Sequence, residues 1–125
     1  MTEDQLQAKC FLWANQKLPK TRGLLWACPN GGKRDGREAV KLKSTGVVPG
    51  VANLHLDIPN SEYHGLKIEM KAPREKSTHK IKALDPAQKV YQEKVTQAGY
   101  LYVVCDDFED FQSILIAYLK ETTYI

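Results

Sequence analysis

The chain has 125 residues, the size of one compact domain, so we expect a single domain spanning residues 1–125. Hydrophobic residues make up 42% of it, enough for a buried core, and a net charge of only +3 means that basic residues matter through where they cluster. No stretch is long enough to span a membrane and no apolar signal-peptide core opens the chain, so we expect a cytoplasmic protein, not a membrane or secreted one.

Helix signals and apolar runs alternate along the first half of the chain. Thr2 is the expected N-cap of a helix that Pro19 ends, and Glu3 in its first turn favours the positive end of the helix dipole. The next predicted elements are a buried strand at 24–28, a short helix at 37–43 and a strand at 51–58. A Pro-Asn-Gly-Gly turn breaks the first of these strands, and a Val-Pro-Gly turn introduces the second.

The second half predicts a strand, a helix, a strand and a helix. These elements cover 66–70, 85–99, 100–105 and a last helix capped by Asp106 or Asp107. The resulting order is α-β-α-β-β-α-β-α, and the crossover helix before the last strand implies a mixed sheet. The fold class is therefore α/β, with a mixed four-stranded sheet flanked by helices. Some aromatic side chains are expected in the core rather than on the surface as stacking platforms: Trp13, Trp26, Tyr91 and Tyr102.

The tripeptide Glu69-Met70-Lys71 is the most informative feature of the sequence. Because strand side chains alternate between faces, Glu69 and Lys71 project side by side from one edge of a half-buried sheet. A carboxylate next to an ammonium can hold a divalent metal and steady an attacking water, so the strand predicts a metal-dependent phosphodiesterase site. An ordinary surface ion pair on an edge strand is the alternative, because Glu-x-Lys alone is common.

Further motifs follow in order along almost the whole chain. They are Thr2-Glu3-x-x-Leu6-Gln7, Pro29-Asn30-Gly31-Gly32-Lys33-Arg34, Leu42-Lys43-x-x-Gly46-Val47, Pro49-Gly50-Val51, Leu84-x-Pro86-x-Gln88 and Gly99-Tyr100. Together with Glu69-Met70-Lys71 they resemble the VRR-NUC domains of the PD-(D/E)XK, restriction-endonuclease-like superfamily, in the small stand-alone phage and bacterial form. The resemblance implies a structure-selective deoxyribonuclease similar to Holliday junction resolvases, dependent on Mg²⁺ or Mn²⁺ and acting as a homodimer.

The resemblance also implies roles for individual residues. It gives the catalytic set Glu69, Lys71, Asn53, Gln88 and Glu3. In it, Asn53, Glu69 and the carbonyl of Met70 would hold the metal ion, and Lys71 would orient the attacking water. Glu3 would reach the metal directly or through water, and Gln88 would hydrogen-bond near Lys71. The alternatives are that Glu3 only stabilises its helix terminus and that Gln88 lies on a polar helix surface.

Asn53 departs from the family pattern, in which an aspartate follows Pro-Gly-Val-Pro and ligates the metal. Since Mg²⁺ prefers charged oxygens, losing one carboxylate should leave the chain weak or inactive. Asp57 lies about 13 Å further along the strand, too far to replace it, and the imidazole of His55 suits zinc or manganese better.

Basic residues cluster in two segments that flank the site, a loop that continues into the predicted helix at 37–43 and a loop that follows Lys71. The expected DNA contacts are Asn30, Gly31, Gly32, Lys33, Arg34, Arg37, Lys41, Lys43, Arg74 and Lys76. Such side chains contact phosphates and read DNA shape or junctions rather than sequence. Asn53 leaves a second interpretation open, a branched-DNA-binding module without catalysis. A purely structural α/β domain would leave the Pro-Asn-Gly-Gly-Lys-Arg loop unexplained.

Overall fold

The computed structural model describes residues 1–29, 44–74 and 80–120, and within them an α/β fold. Its elements are helix α1 (Glu3–Lys17), a short 3₁₀ helix (Pro19–Thr21), strands β1 (Leu25–Ala27), β2 (Leu54–Leu56) and β3 (Leu66–Met70), helix α2 (Pro86–Gln97), strand β4 (Leu101–Cys105) and helix α3 (Phe108–Lys120). The predicted fold class is confirmed. The helix predicted at 37–43 lies outside the described residues.

The sheet has the order β1-β2-β3-β4. The pairs β1–β2 and β2–β3 are antiparallel, and β3–β4 is parallel with α2 as its crossover. The predicted strand at 51–58 is too long, because only Leu54–Leu56 pairs as a strand. A strand forms within the predicted 24–28, at Leu25–Ala27, but the prediction that it is buried is wrong. At β1, which ends the sheet, Leu25 is buried but Trp26 is 42% exposed.

Capping boxes start the two helices that border the site. Thr2 Oγ1 accepts from the backbone N–H of Gln5, whose side chain accepts from the N–H of Thr2 in return. Asp85 and Gln88 repeat this arrangement at α2, where Pro86 occupies the first turn. Both helix starts are therefore fixed by local sequence as well as by packing.

One face of the sheet forms the hydrophobic core. Leu54, Leu66 and Ile68 point toward α1 and α3, where they cluster with Cys10 and Phe111. The opposite face carries Trp26, His55, Lys67 and Glu69, and α2 packs against part of it through Tyr91 and Tyr102. Within the three described stretches, no helix is long and apolar enough to cross a bilayer.

Candidate active site

Glu69 and Lys71 lie at the C-terminal end of β3, on the sheet face that α2 covers. Glu69 is 2% exposed and Lys71 is 9% exposed. Strand alternation correctly places them on one face, but both are buried rather than projecting from an open edge. The first turn of α2 contacts Lys71 and helps to bury it. The alternation of residues along β3 could not predict this burial, because it depends on where α2 packs.

The carboxyl group of Glu69 is held in an environment that disfavours its charge. Burial, helped by the negative charges of Glu3 and Asp85, raises its pKa from 4.5 to about 7, while the ammonium of Lys71 opposes this shift. Its Oε1 atom is buried and has no hydrogen-bond partner among the described residues. A buried carboxylate oxygen with no donor is suited to accept a cation or a bound water.

Gln88 fixes the position of Lys71. The Nζ atom of Lys71 donates to Gln88 Oε1 at 2.8 Å, and the same oxygen accepts the backbone N–H of Asp85 at 3.0 Å in the capping box. The helix cap and the lysine therefore share one acceptor. Sequence reasoning assigned Asp85 only as an N-cap. The carboxylate of Asp85 also helps to raise the pKa of Glu69, because α2 packs against the sheet and brings the two groups close together.

Asn53 lies immediately before β2, beside Met70. Its Oδ1 accepts the backbone N–H of Met70 at 2.8 Å, so the side chain continues the β2–β3 ladder where backbone pairing stops. The remaining arm is Nδ2, which faces Glu3 Oε1 at 3.5 Å. Because the N–H of Met70 requires an acceptor, it fixes which arm is oxygen and which is nitrogen. An N–H group thus points at Glu3.

The oxygen atoms at this site provide only part of the ligand set that a divalent cation needs. Glu69 and Glu3 offer carboxylate oxygens, and the carbonyl of Met70 points to the Asn53 side of β3, as its N–H does. The free arm of Asn53 is a hydrogen-bond donor and cannot ligate a metal. In the described part of the chain, no three Asp, Glu, His or Cys side chains group closely enough to hold an ion. The site is one carboxylate short of the set that the resemblance implies.

Arg74 is the one predicted DNA contact that the structure describes. Its guanidinium donates to both oxygens of Asp106 at 2.9 Å, and its side chain is 43% exposed, whereas that of Asp106 is 1% exposed. These hydrogen bonds raise the pKa of Arg74. The Arg74 guanidinium is therefore already paired with a carboxylate, while part of its side chain remains accessible to solvent. The other predicted DNA contacts, Asn30 to Lys43 and Lys76, lie outside the described residues.

Tyr102 is a site neighbour that sequence reasoning placed only in the core. It follows Leu101 in β4, pairs in register with Lys67, and its hydroxyl is buried without a hydrogen-bond partner among the described residues. Burial and the charge of Glu69 raise its pKa, and the ring of Tyr91 lies edge-on at 6.2 Å. The signal available in the sequence was its alternation with Leu101 and Val103, which places it on the face of Glu69.

Comparison with solved structures gives a match over almost the whole chain. The structure is similar to a protein described as "VRR_NUC domain protein", with a TM-score of 0.78 and 28% sequence identity, over 98% of this chain and 91% of that one. No model of a protein family and no curated protein matches the sequence. The similarity to that fold therefore extends over almost the whole of this chain.

Proposed function

We propose, from the premise that this chain is a VRR-NUC domain of nuclease type, that it is a structure-selective endonuclease that hydrolyses phosphodiesters in branched DNA. The observation that carries the proposal is the convergence of Glu69, Lys71 and Gln88 in one buried site at the end of β3. A carboxylate, a fixed ammonium and a nearby second carboxylate suit metal-assisted hydrolysis of a phosphodiester, in which the carboxylates would hold the ion and the ammonium would offset negative charge. A four-way junction is the proposed substrate and a homodimer the proposed assembly, because symmetric cleavage needs two sites.

The residues of this site divide the chemical tasks between them. Glu69 and Glu3 would hold the divalent ion, Mg²⁺ or Mn²⁺, which when bound supplies Lewis acidity and lowers the pKa of a bound water. Lys71 places a positive charge next to the reacting phosphate and offsets the charge that develops there. Gln88 holds that ammonium in place through its side-chain oxygen, so no reorganisation is needed during the reaction.

Asn53 determines how active the chain is. An aspartate in its place would accept the N–H of Met70 with one oxygen and present the other oxygen toward Glu3, where Nδ2 now points. We therefore propose that the chain as given is a weakened nuclease. Asn53→Asp should raise cleavage of a labelled four-way junction in Mg²⁺ or Mn²⁺ by at least about tenfold, the lower end of the effect of perturbing a metal site.

Two controls make this experiment specific. Asn15→Asp on α1 adds the same charge away from the site and should leave cleavage unchanged. Mn²⁺ should raise the melting temperature of Asn53→Asp more than that of the unaltered chain, because a ligand that binds only the folded state stabilises it. If the aspartate variant gains neither cleavage nor metal-dependent stability, the weakened-nuclease proposal is wrong.

The second candidate function is a branched-DNA-binding module without catalysis. The contact between Asn53 Nδ2 and Glu3 Oε1 favours it, because a donor stands where a cation would otherwise bind. If this is the function, the unaltered chain and the Asn53→Asp variant should both bind a four-way junction in a salt-sensitive way, and neither should cleave it. Cleavage by the Asn53→Asp variant, abolished again by adding Glu69→Gln, would decide in favour of the nuclease.

A further inference from the structure

Trp26 is an exposed aromatic side chain that is nevertheless rigidly held. Although tryptophan at this position was expected in the core, its side chain is 42% exposed on β1. Its ring stacks on that of His55 with centroids 4.3 Å apart and planes 21° apart. Its Nε1 donates to Asp57 Oδ2 at 2.9 Å. These contacts fix the orientation of the indole.

The support under Trp26 extends across the sheet. His55 on β2 is 2% exposed, and Lys67 Nζ on β3 lies 3.1 Å from its Nδ1. A charged lysine can only donate, so Nδ1 accepts this hydrogen bond. The ammonium of Lys67 also lies 4.7 Å from the ring centroid of Tyr100. An aromatic platform at β1 is thus connected through His55 to a cation at β3.

This strip lies on the same sheet face as the active site. Trp26, His55 and Lys67 are aligned in register across β1, β2 and β3, and Glu69 is two residues beyond Lys67. With strands about 4.8 Å apart and a rise of about 3.3 Å per residue, the Cα atoms of Trp26 and Glu69 are about 12 Å apart. Stacked bases are about 3.4 Å apart and unstacked ones further, so this distance spans about two to four nucleotides.

We propose that Trp26 is a stacking platform for one unpaired nucleobase of the DNA substrate, close to the phosphate that is cleaved. The inference rests on the proposed nuclease function and specifies which feature of branched DNA the site recognises. Every base presents a π-face that can stack on an aromatic side chain, but a base within a duplex is not free to do so. The platform therefore favours DNA whose strands separate at a branch.

Charge around the platform gives the bound strand an orientation. Asp57 at the edge of the indole repels phosphate, whereas Lys67 attracts it. The base is therefore expected over Trp26, and the sugar-phosphate backbone is expected to run toward Lys67 and Glu69. His55 fills the inner face of the indole, so only the outer face can accept a base.

Tryptophan fluorescence tests this directly. The chain contains only two tryptophans, so Trp13→Phe leaves Trp26 as the single reporter. The probes are a DNA fork with single-stranded arms and the same fork with abasic arms, both titrated in EDTA without divalent metal. Quenching of Trp26 by the first fork and not by the second supports stacking. Equal quenching by both forks, or none at saturation of binding, overturns it.

Binding of variants provides an independent readout. Trp26→Ala should weaken binding of the base-bearing fork by about 5- to 150-fold, the range for loss of one base-stacking partner. Trp26→Phe should retain most of the affinity, and neither variant should alter binding of blunt duplex. An equal loss of duplex binding overturns the proposal, as does no loss of fork binding by Trp26→Ala.

These measurements are separable from the proposed catalysis. Every chain in them keeps Asn53 and is measured without divalent metal, so neither measurement needs cleavage to occur. Quenching together with an Asn53→Asp variant that does not cleave would support the stacking site and contradict the nuclease. Cleavage by that variant without any quenching of Trp26 would support the nuclease and overturn the stacking site.

Discussion

At the level of individual residues, one side-chain oxygen takes part both in helix capping and in the candidate active site. Gln88 Oε1 accepts both from the backbone N–H of Asp85 and from the ammonium of Lys71. Since Lys71 is 9% exposed, water has little access to replace a lost partner. Whatever removes this oxygen weakens the start of α2 and leaves a buried cation unpaired at once.

Gln88→Leu removes the oxygen while keeping a side chain of similar size. We expect a loss of about 1–3 kcal/mol in the free energy of unfolding, the cost of an unsatisfied buried group plus a lost cap. Urea denaturation measures this loss. In the Asn53→Asp background, the same change should reduce junction cleavage, since the ammonium of Lys71 is no longer held in position.

Gln88→Glu is the matched control, because it retains an acceptor oxygen at the same distance along the side chain and replaces only the NH2 group. It should keep the helix cap and the contact with Lys71, and its stability should remain close to that of the unaltered chain. If Gln88→Leu and Gln88→Glu were equally stable, Gln88 would be an ordinary surface residue of α2.

At the level of elements, the position of α2 depends on a close approach by the loop before β2. Gly50 has φ +76°, and a Cβ added to it would overlap the backbone of Ala87 and Gln88 in the first turn of α2. The loop and the helix therefore touch backbone to backbone. This contact brings Gln88 over Lys71, which links the Pro-Gly motif of the sequence to the geometry of the site.

Gly50→Ala should displace the first turn of α2 and strain the loop. We expect a drop in the melting temperature and, in the Asn53→Asp background, a marked loss of cleavage, because Gln88 would move away from Lys71.

Gly23→Ala is the control for this prediction. Gly23 has nearly the same φ, +78°, but a Cβ there meets nothing within 4 Å. It shares the backbone strain of about 1 kcal/mol without the overlap, and similar losses in both variants would contradict the prediction.

Sequence reasoning succeeded for elements whose signals are local. Caps and proline positions predicted α1 and α2, and alternation along 66–70 placed Glu69 opposite the core. It failed where the answer depends on neighbours in space. Whether Trp26 is buried depends on β1 lying at the end of the sheet, and whether Glu69 is buried depends on α2.

Asn53 shows the same division within the candidate site. The resemblance implied that Asn53 stands in place of a carboxylate, because the family pattern has an aspartate there. It did not indicate that the amide oxygen accepts from Met70 and that the nitrogen faces Glu3. That knowledge requires the end of the β2–β3 ladder, which the apolar run at 51–58 does not define.

For the molecule as a whole, two buried titratable groups on one sheet face act on stability in opposite directions. Glu69 has its pKa raised from 4.5 to about 7, so between these values the folded chain holds a proton that the unfolded chain has lost. Stability from this group falls as pH rises through that window. Burial and the charge of Lys67 lower the pKa of His55 from 6.5 to about 4, so its contribution is lost as pH falls through that range.

The two effects overlap between pH 4.5 and 6.5 and should partly cancel, giving a shallow stability profile for the unaltered chain. Glu69→Gln removes one of them while keeping the size of the side chain. Relative to the unaltered chain, the free energy of unfolding of this variant should increase from pH 4.5 to 7, by on the order of 2 kcal/mol after solvent screening, and stay constant above. Urea denaturation at pH 4.5, 5.5, 6.5 and 7.5 gives the difference directly.

Glu93→Gln is the control, the same change at an exposed position of α2. Its free energy of unfolding should have the same pH dependence as that of the unaltered chain. If the free energy of unfolding of Glu69→Gln had the same pH dependence as that of the unaltered chain, the pKa of Glu69 would not be raised by burial. The argument that its buried carboxyl group is suited to hold a cation would then be wrong.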